Sequence, residues 1–330
     1  MSVLVARLGC AGWLMAASAM AVPVLAATPI KVFLLIGQSN MSGWTNSSGM
    51  PAANTASQPN VLIYADGEID GSKKKKWLNN GMDFGHAAGW FGPELMFGKT
   101  LSDSMPGTKI ALIKHSVGST YLATNWRPPA SGGTVGPLFT ASLATVTSGL
   151  ASLDAQYTPQ WSGILWMQGE FDGQNQGYAN EYQTNLGNLV KDYRSKLSVA
   201  DLPFIIGMID SSNSWQFAGT IRTAERNVAK NLTNVGLVDT KGFATDGTHY
   251  KLDGMIALGR GFALNYLTKF RTPVTAISPS VAKRADTPVL RMGLNGFPAL
   301  CQGYRCFAAD GRRDAVSPHI PERPLQATYP

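Results

Sequence analysis

Ser39 lies two residues past a short apolar run, in the stretch Lys31–Gly43, KVFLLIGQSNMSG. Far along the chain, Asp246-Gly247-Thr248-His249 supplies an acid and a base three positions apart. A serine hydroxyl is a weak nucleophile until a base takes its proton. Histidine is the usual base, and a carboxylate fixes its tautomer and stabilises the imidazolium. Asp-x-x-His lets one turn aim both side chains at one cleft. Each feature also has an ordinary reading: a serine at a helix start is commonly a cap, and Asp-Gly is commonly a turn that caps the next segment. The two features in one chain point to nucleophilic chemistry. Asp83-Phe84-Gly85-His86 has the same acid–base spacing. It lies in a Gly-rich loop with no strand before it, so it ranks second.

Positioning these groups requires a sheet. Val32–Ile36 is continuous and apolar and reads as a buried strand. Gly37 permits a tight exit, which puts Ser39 at the carboxyl end of the strand, where a helix begins. Open α/β sheets place their sites there, and first-turn amides there face a developing oxyanion. Two more strand ends offer donors. Lys109–Lys114 leads to Ser116-Val117-Gly118, where the glycine N–H can approach a substrate closely. Gly163–Met167 leads to Gln168-Gly169-Glu170, and the Gln168 amide can donate. A loop glycine and a surface glutamine are the plain alternatives. Glu170 can hold the site's fold, bond to substrate, or serve His249 as an auxiliary acid.

Val61–Tyr64, Pro203–Ile209 and Val235–Val238 read as further strands. Pro93–Ser102, Ala141–Leu153, Tyr178–Leu197, Thr220–Asn231 and Asp253–Phe270 read as helices, with Tyr182, Leu186, Leu189 and Tyr193 on one face of the third. Strands alternating with helices predict a parallel sheet covered on both faces. Ser42–Asn60 and Gly67–Gly92 read as long loops, the first carrying Trp44.

At 330 residues and 44% hydrophobic, the chain can bury a full core. Arg7 is the only charge before Lys31, Leu8–Val24 is apolar, and Val24-Leu25-Ala26 resembles a cleavage site. Residues 1–26 therefore read as a secretory signal peptide, predicting a secreted or periplasmic protein with no stable membrane insertion. Residues 27–270 form the main domain. From residue 271 to 330 the apolar period fails and Pro and Arg recur, which reads as a linker or poorly ordered tail. A small separate module is the alternative. The +7 net charge is concentrated in that tail: eight Lys/Arg against four Asp/Glu give +4, Arg7 gives +1, and the main domain keeps +2. This excludes a nucleic-acid footprint in the core. Cys10 lies in the leader, and Cys301 and Cys306 lie in the tail. A cysteine nucleophile or Cys-based zinc site in the core is thus excluded, and a Cys301–Cys306 bridge would staple only the tail. The four His residues are scattered, His115 after a strand and His319 in the tail, so no metal is expected. No phosphate loop, dinucleotide fingerprint or G-x-S-x-G elbow is present, so no cofactor is expected.

Gly37-Gln38-Ser39-Asn40-Met41-Ser42-Gly43, Trp166-Met167-Gln168-Gly169-Glu170 and Asp246-Gly247-Thr248-His249 together resemble the SGNH/GDSL-like hydrolases, nearest to carbohydrate esterase family six and the sialate O-acetylesterase domains. Gly92-Pro93-Glu94 and Gly118-Ser119-Thr120 with Trp126 fit the same group, and the likeness spans roughly 29–270 in the family's order. The resemblance implies an α/β, three-layer flavodoxin-like fold with a central parallel sheet, and metal-free deacetylation of an acetylated carbohydrate. It implies Ser39 as nucleophile, His249 as base and Asp246 as its orienter, with the Ser39 amide, Gly118 and Gln168 as the oxyanion hole. The chain departs from the group at Met167, Phe171 and Ser119, where His, Ser and Gly are frequent. The expected activity is removal of O-acetyl groups from a polysaccharide such as xylan. A sialate O-acetylesterase is the alternative within enzymes, and a non-catalytic carbohydrate-binding protein is the alternative outside them. Trp44, Trp90 and Trp126 are candidates to stack on sugar rings, against a plain packing role for each.

Overall fold

Val32, Phe33, Leu34, Leu35 and Ile36 are all fully buried. Burial of each contributes about 1.5–3 kcal/mol, and this run holds β1 (Thr28–Gly37) at the centre of a sheet. In the computed structural model, residues 26–210 and 214–270 are described throughout, with the backbone of three short strands between 289 and 308. β2 (Thr45–Asn46) and β5 (Trp90–Phe91) pair with each other apart from the main sheet. The main sheet contains β3 (Gln58–Gly67), β4 (Trp77–Asn80), β6 (Lys109–Ser116), β7 (Tyr157–Met167), β8 (Phe204–Gly207) and β9 (Val235–Val238) besides β1. Its order is β4-β3-β6-β1-β7-β8-β9, parallel except for β4, which runs antiparallel to β3.

The helices are α1 (Ser39–Ser42), α2 (Glu94–Ser104), α3 (Pro137–Ser152), α4 (Gln176–Lys196), α5 (Ala218–Asn231) and α6 (Leu252–Lys269). They cover both faces. Phe33 meets Phe97 of α2 and Tyr266 of α6 edge-on at 5.1 and 4.9 Å. On the other face, Ile113 and Tyr64 lie against Gly149 of α3. Phe139 of α3 packs on Tyr193 of α4 at 4.8 Å, and α5 packs beside α4. This is the expected three-layer α/β architecture, with an antiparallel edge strand added. Among the described residues no helix is long and apolar enough to cross a membrane.

Strand register matters most for function. Gly37 of β1 pairs with both Ser116 of β6 and Met167 of β7, and Gly67 of β3 also pairs with Ser116. Four carboxyl ends therefore finish level. The residues just past them, Glu68, Gly118, Ser39 and Gln168, emerge along one rim of the sheet, on either side of the central strand.

β3 extends well beyond the expected Val61–Tyr64, and β7 begins before Gly163. In both, polar residues continue a ladder whose apolar half alone carries a sequence signal. β4 falls inside the segment read as loop. Its polar Asn80 is buried, donating to Gln58 Oε1 and to the Glu94 carbonyl, each at 2.9 Å. In the tail, β10 (Val289–Met292), β11 (Pro298–Gln302) and β12 (Arg305–Ala308) pair as an antiparallel sheet, with Cys301 opposite Cys306. The leader reading covers residues 1–26, of which all but Ala26 lie outside the described residues.

Candidate active site

The turn that carries Ser39 is fixed by its ends. Gly37 has φ 149°, and a Cβ there would run into the Met167 carbonyl oxygen. The Gln38 amide donates to Met167 O at 2.9 Å, and the Val117 amide donates to Gly37 O at 3.1 Å. Met41 and Ser42 both donate to Gln38 O, at 2.8 and 2.7 Å, and Gly43 at φ 94° closes the single turn. The amides of Ser39 and Asn40 precede these bonds and have no partner within the turn. Ser39 is 7% exposed.

Asn40, next in the chain, ties this turn to the loop carrying His249. Its Nδ2 donates to Glu170 Oε1 at 2.7 Å and to the Thr248 carbonyl at 3.2 Å, and its Oδ1 accepts from the Tyr250 amide at 3.1 Å. Both peptide groups flanking His249 are thus held by the neighbour of Ser39. Thr45 Oγ1 adds a bond to the Tyr250 carbonyl at 2.7 Å. Asp246 Oδ1 accepts from the Thr248 and His249 amides, each at 2.8 Å. Trp44 stacks on the His249 ring with centroids 5.3 Å apart. Among the described residues no hydrogen bond joins the Ser39 hydroxyl to the His249 ring, or that ring to the Asp246 carboxylate. In enzymes without substrate, catalytic hydrogen bonds are often long or poorly aligned.

Burial lowers the pKa of His249, Asp246 and Glu68 push it up, His86 pushes it down, and the net direction is below the ordinary histidine value. For Asp246, burial works upward, but the His249 and Thr248 amides and the His249 charge outweigh it, so its carboxyl is held low. A general base acts when neutral, so in the base role expected of it a lowered pKa would keep His249 competent at lower pH. The acid limb of the kcat/KM–pH profile is expected to have its midpoint below about 6.5, measured with p-nitrophenyl acetate. Asp246→Asn, which removes an upward push, moves that limb lower still.

Gly118 lies against Ser39. A Cβ there would stand 3.4 Å from Ser39 Cβ and 2.8 Å from Glu68 Oε2. Its amide donates to that Glu68 oxygen at 2.5 Å. Gln168, expected as an oxyanion donor, is fully buried and spends its amide elsewhere. Nε2 donates to the Thr120 carbonyl and to Asp172 Oδ2, each at 2.7 Å, and lies 3.2 Å from Gln38 Oε1. Asp172 in turn accepts from the Leu122 and Ala123 amides at 2.8 and 3.0 Å, its pKa raised by burial to about 6. In this arrangement Gln168 and Asp172 shape the loop after β6 rather than offer a free N–H beside Ser39. Within that loop Ser119 has φ 57°, a left-handed conformation costing a non-glycine residue about 1 kcal/mol. The glycine frequent in the resembling group would adopt it without strain.

Glu170 is buried under Asn40, and burial raises its pKa to about 7, with Asn40 pulling down and Asp172 and Asp210 pushing up. Of the three roles its sequence left open, these contacts favour holding the site's fold through Asn40.

The competing Asp83/His86 pair does not form an acid–base unit. Asp83 accepts from the Gly89 amide at 2.5 Å and pairs with Lys73 at 3.5 Å. His86 instead stacks on Trp44 at 3.9 Å and meets Trp90 at 4.6 Å. Trp44 and Trp90 are partly exposed, whereas Trp126 is fully buried, donates to Thr120 Oγ1 at 3.0 Å and packs on Trp166. Trp126 is therefore removed from the candidate sugar platforms and buttresses the loop instead. His115 is buried beside Thr145 Oγ1 at 2.9 Å, and burial lowers its pKa to about 4, as befits a neutral packing histidine. Glu68 was missed by sequence reasoning. Its signal is the Asp66-Gly67 exit of β3, which reads as an ordinary turn until the strand's true length is known.

A family model described as "Carbohydrate esterase, sialic acid-specific acetylesterase" matches residues 29–268. A probable carbohydrate esterase of Arabidopsis thaliana is 25% identical over 262 residues, covering 73% of this chain and 92% of that protein. Among solved structures, an Arabidopsis thaliana protein superposes with a TM-score of 0.59 at 23% identity, covering 73% of this chain and 99% of that one. NanS superposes at 0.57 with 16% identity, covering 75% and 99%. A carbohydrate acetylesterase from Xanthomonas citri superposes at 0.53 with 17% identity, covering 79% of this chain and 59% of that one. At these identities the structures bear on the fold alone.

Proposed function

The chain belongs to the carbohydrate esterase family of sialic acid-specific acetylesterases, and from that premise we propose that it is a secreted serine esterase removing O-acetyl groups from a polysaccharide such as xylan. Ser39 Oγ attacks the acetyl carbonyl carbon while His249 takes its proton. The tetrahedral intermediate collapses, and the sugar alcohol leaves with that proton. Water, deprotonated by His249, then attacks the acyl-enzyme and frees acetate, returning the proton to Ser39. Asp246 holds the His249 loop and offsets the imidazolium charge. The Ser39 and Gly118 amides are the oxyanion donors in this reading.

The observation that carries it is the Asn40 bridge, which draws the Thr248 and Tyr250 backbone to the neighbour of Ser39. Acetyl is small, so selection falls to the sugar side, where Trp44 and Trp90 offer flat faces. Of the charged groups that act on His249, Glu68 and Asp246 are acidic, which favours a neutral sugar, while Lys251 acts on Asp246 and partly offsets their charge. The family description favours the second reading, a sialate O-acetylesterase. Acetate release from acetylated xylan and from O-acetyl sialic acid, compared with and without chelator, tests both. Faster release from xylan, unchanged by chelator, is the expected result. Faster release from O-acetyl sialic acid shifts the assignment, and no release from either, nor from p-nitrophenyl acetate, leaves a carbohydrate-binding protein. Secretion is tested by the amino terminus of the exported chain, expected just after Ala26.

A further inference from the structure

Glu68 holds the Gly118 amide, one of the two oxyanion donors of the proposed reaction. Its backbone cannot move far, because Gly67 at φ 85° packs against Ser116 and the Glu68 amide donates to the Ser116 carbonyl at 2.7 Å. Its side chain then crosses the rim of the sheet. Oε2 accepts from the Gly118 amide at 2.5 Å and lies 3.4 Å from Ser42 Oγ, in the nucleophile's own turn. A Cβ built on Gly118 would lie 2.8 Å from that oxygen and 3.4 Å from Ser39 Cβ.

We propose that Glu68 is a specificity-determining residue whose carboxylate is the resting occupant of the oxyanion seat, so that an ester must displace it from the Gly118 amide before acyl transfer. The inference rests on Ser39 as nucleophile. The N–H that would stabilise a tetrahedral oxyanion is matched by any negatively charged oxygen, and a carboxylate outbids a neutral ester carbonyl for it. Glu68 is only half-buried, so its side chain can turn outward without breaking the backbone contacts. Turned outward, the carboxylate can accept a hydrogen bond from a sugar hydroxyl beside the acetyl group. A simple ester offers none. The residue thus handicaps small soluble esters relative to acetylated sugars.

The test uses the full chain, with Glu68→Ala and the isosteric Glu68→Gln, p-nitrophenyl acetate as substrate and formate as a stand-in for the lost carboxylate. In Glu68→Ala, kcat/KM is expected to rise about tenfold, the scale of a charge-assisted hydrogen bond that no longer has to be broken, with a smaller rise in Glu68→Gln. Formate is expected to inhibit Glu68→Ala competitively and several-fold more strongly than wild type, because it fills the vacated seat. A purely structural role would not produce that inhibition. The proposal is overturned if kcat/KM is unchanged or lower in both folded variants, or if formate inhibits Glu68→Ala no better than wild type. Failure of the underlying reading is separate: it would appear as full activity in Ser39→Ala, whatever the Glu68 variants do.

Discussion

Ser39→Ala is expected to lower kcat/KM for p-nitrophenyl acetate by about 10⁴-fold or more, and His249→Ala by a similar factor. A nucleophile and its base act as a unit. Once one is gone the other has nothing to do, so the double variant should be little worse than either single one. The informative control is His86→Ala. His86 lies against the same Trp44 ring as His249, and its charge reaches His249. It has no carboxylate of its own, because Asp83 is committed to Gly89 and Lys73. Its loss should disturb the wall of the cleft and cost no more than about tenfold. Steady-state kinetics on the three single variants decide the matter, with circular dichroism confirming that each is folded. A His86→Ala loss equal to that of His249→Ala would mean the base has been misassigned.

The central strands were legible in the sequence because β1 and β6 are buried on both faces and therefore read as unbroken apolar runs. β9, an edge strand, matched its expected span, Val235–Val238, because its short run is apolar and mostly buried. What was not legible has a common cause. β3 ends in Asp66-Gly67 and β7 begins with polar residues, so ladder hydrogen bonds continue where the hydrophobic signal stops. β4 is an edge strand of mixed polarity whose place is set by partners distant in sequence, among them the Gly149 carbonyl that accepts from Trp77 Nε1 at 2.9 Å.

The candidate site divides in the same way. The types of Ser39, Asp246 and His249 and their positions after strands or in a turn could be read directly. That Asn40 would be the bridge between the Ser39 turn and the His249 loop could not, because a single asparagine in a turn has no periodicity to betray it. Gln168 shows the converse. Its position after β7 was read correctly, but which way its amide points depends on Thr120 and Asp172, which the sequence does not place beside it. Glu68 was hidden by the underestimated length of β3. In each case the missing information was tertiary: which polar group a buried polar group finds.

Lys114→Met is expected to destabilise the protein by about 3–5 kcal/mol, a large share of the roughly 5–15 kcal/mol that holds a typical domain folded. Lys114 and Glu94 are both fully buried, with Nζ 2.7 Å from Glu94 Oε2. Nζ also donates to the Ser42 carbonyl at 3.0 Å and to the Phe84 carbonyl at 2.8 Å, while Glu94 Oε1 accepts from the Gly92 amide at 2.7 Å. One ammonium therefore fastens the end of the Ser39 turn, the loop leading to His86 and the start of α2. Removing it strands a carboxylate in the core and frees two carbonyls. Neutralising both partners, as in Lys114→Met with Glu94→Gln, should recover much of the loss in urea denaturation, since it is the uncompensated charge that costs most. It should not recover activity to the same degree, because the Ser42 carbonyl remains unbound and the Ser39 turn has lost its anchor. A double variant as unstable as Lys114→Met alone would show that the two carbonyl bonds, rather than the ion pair, carry the stabilisation.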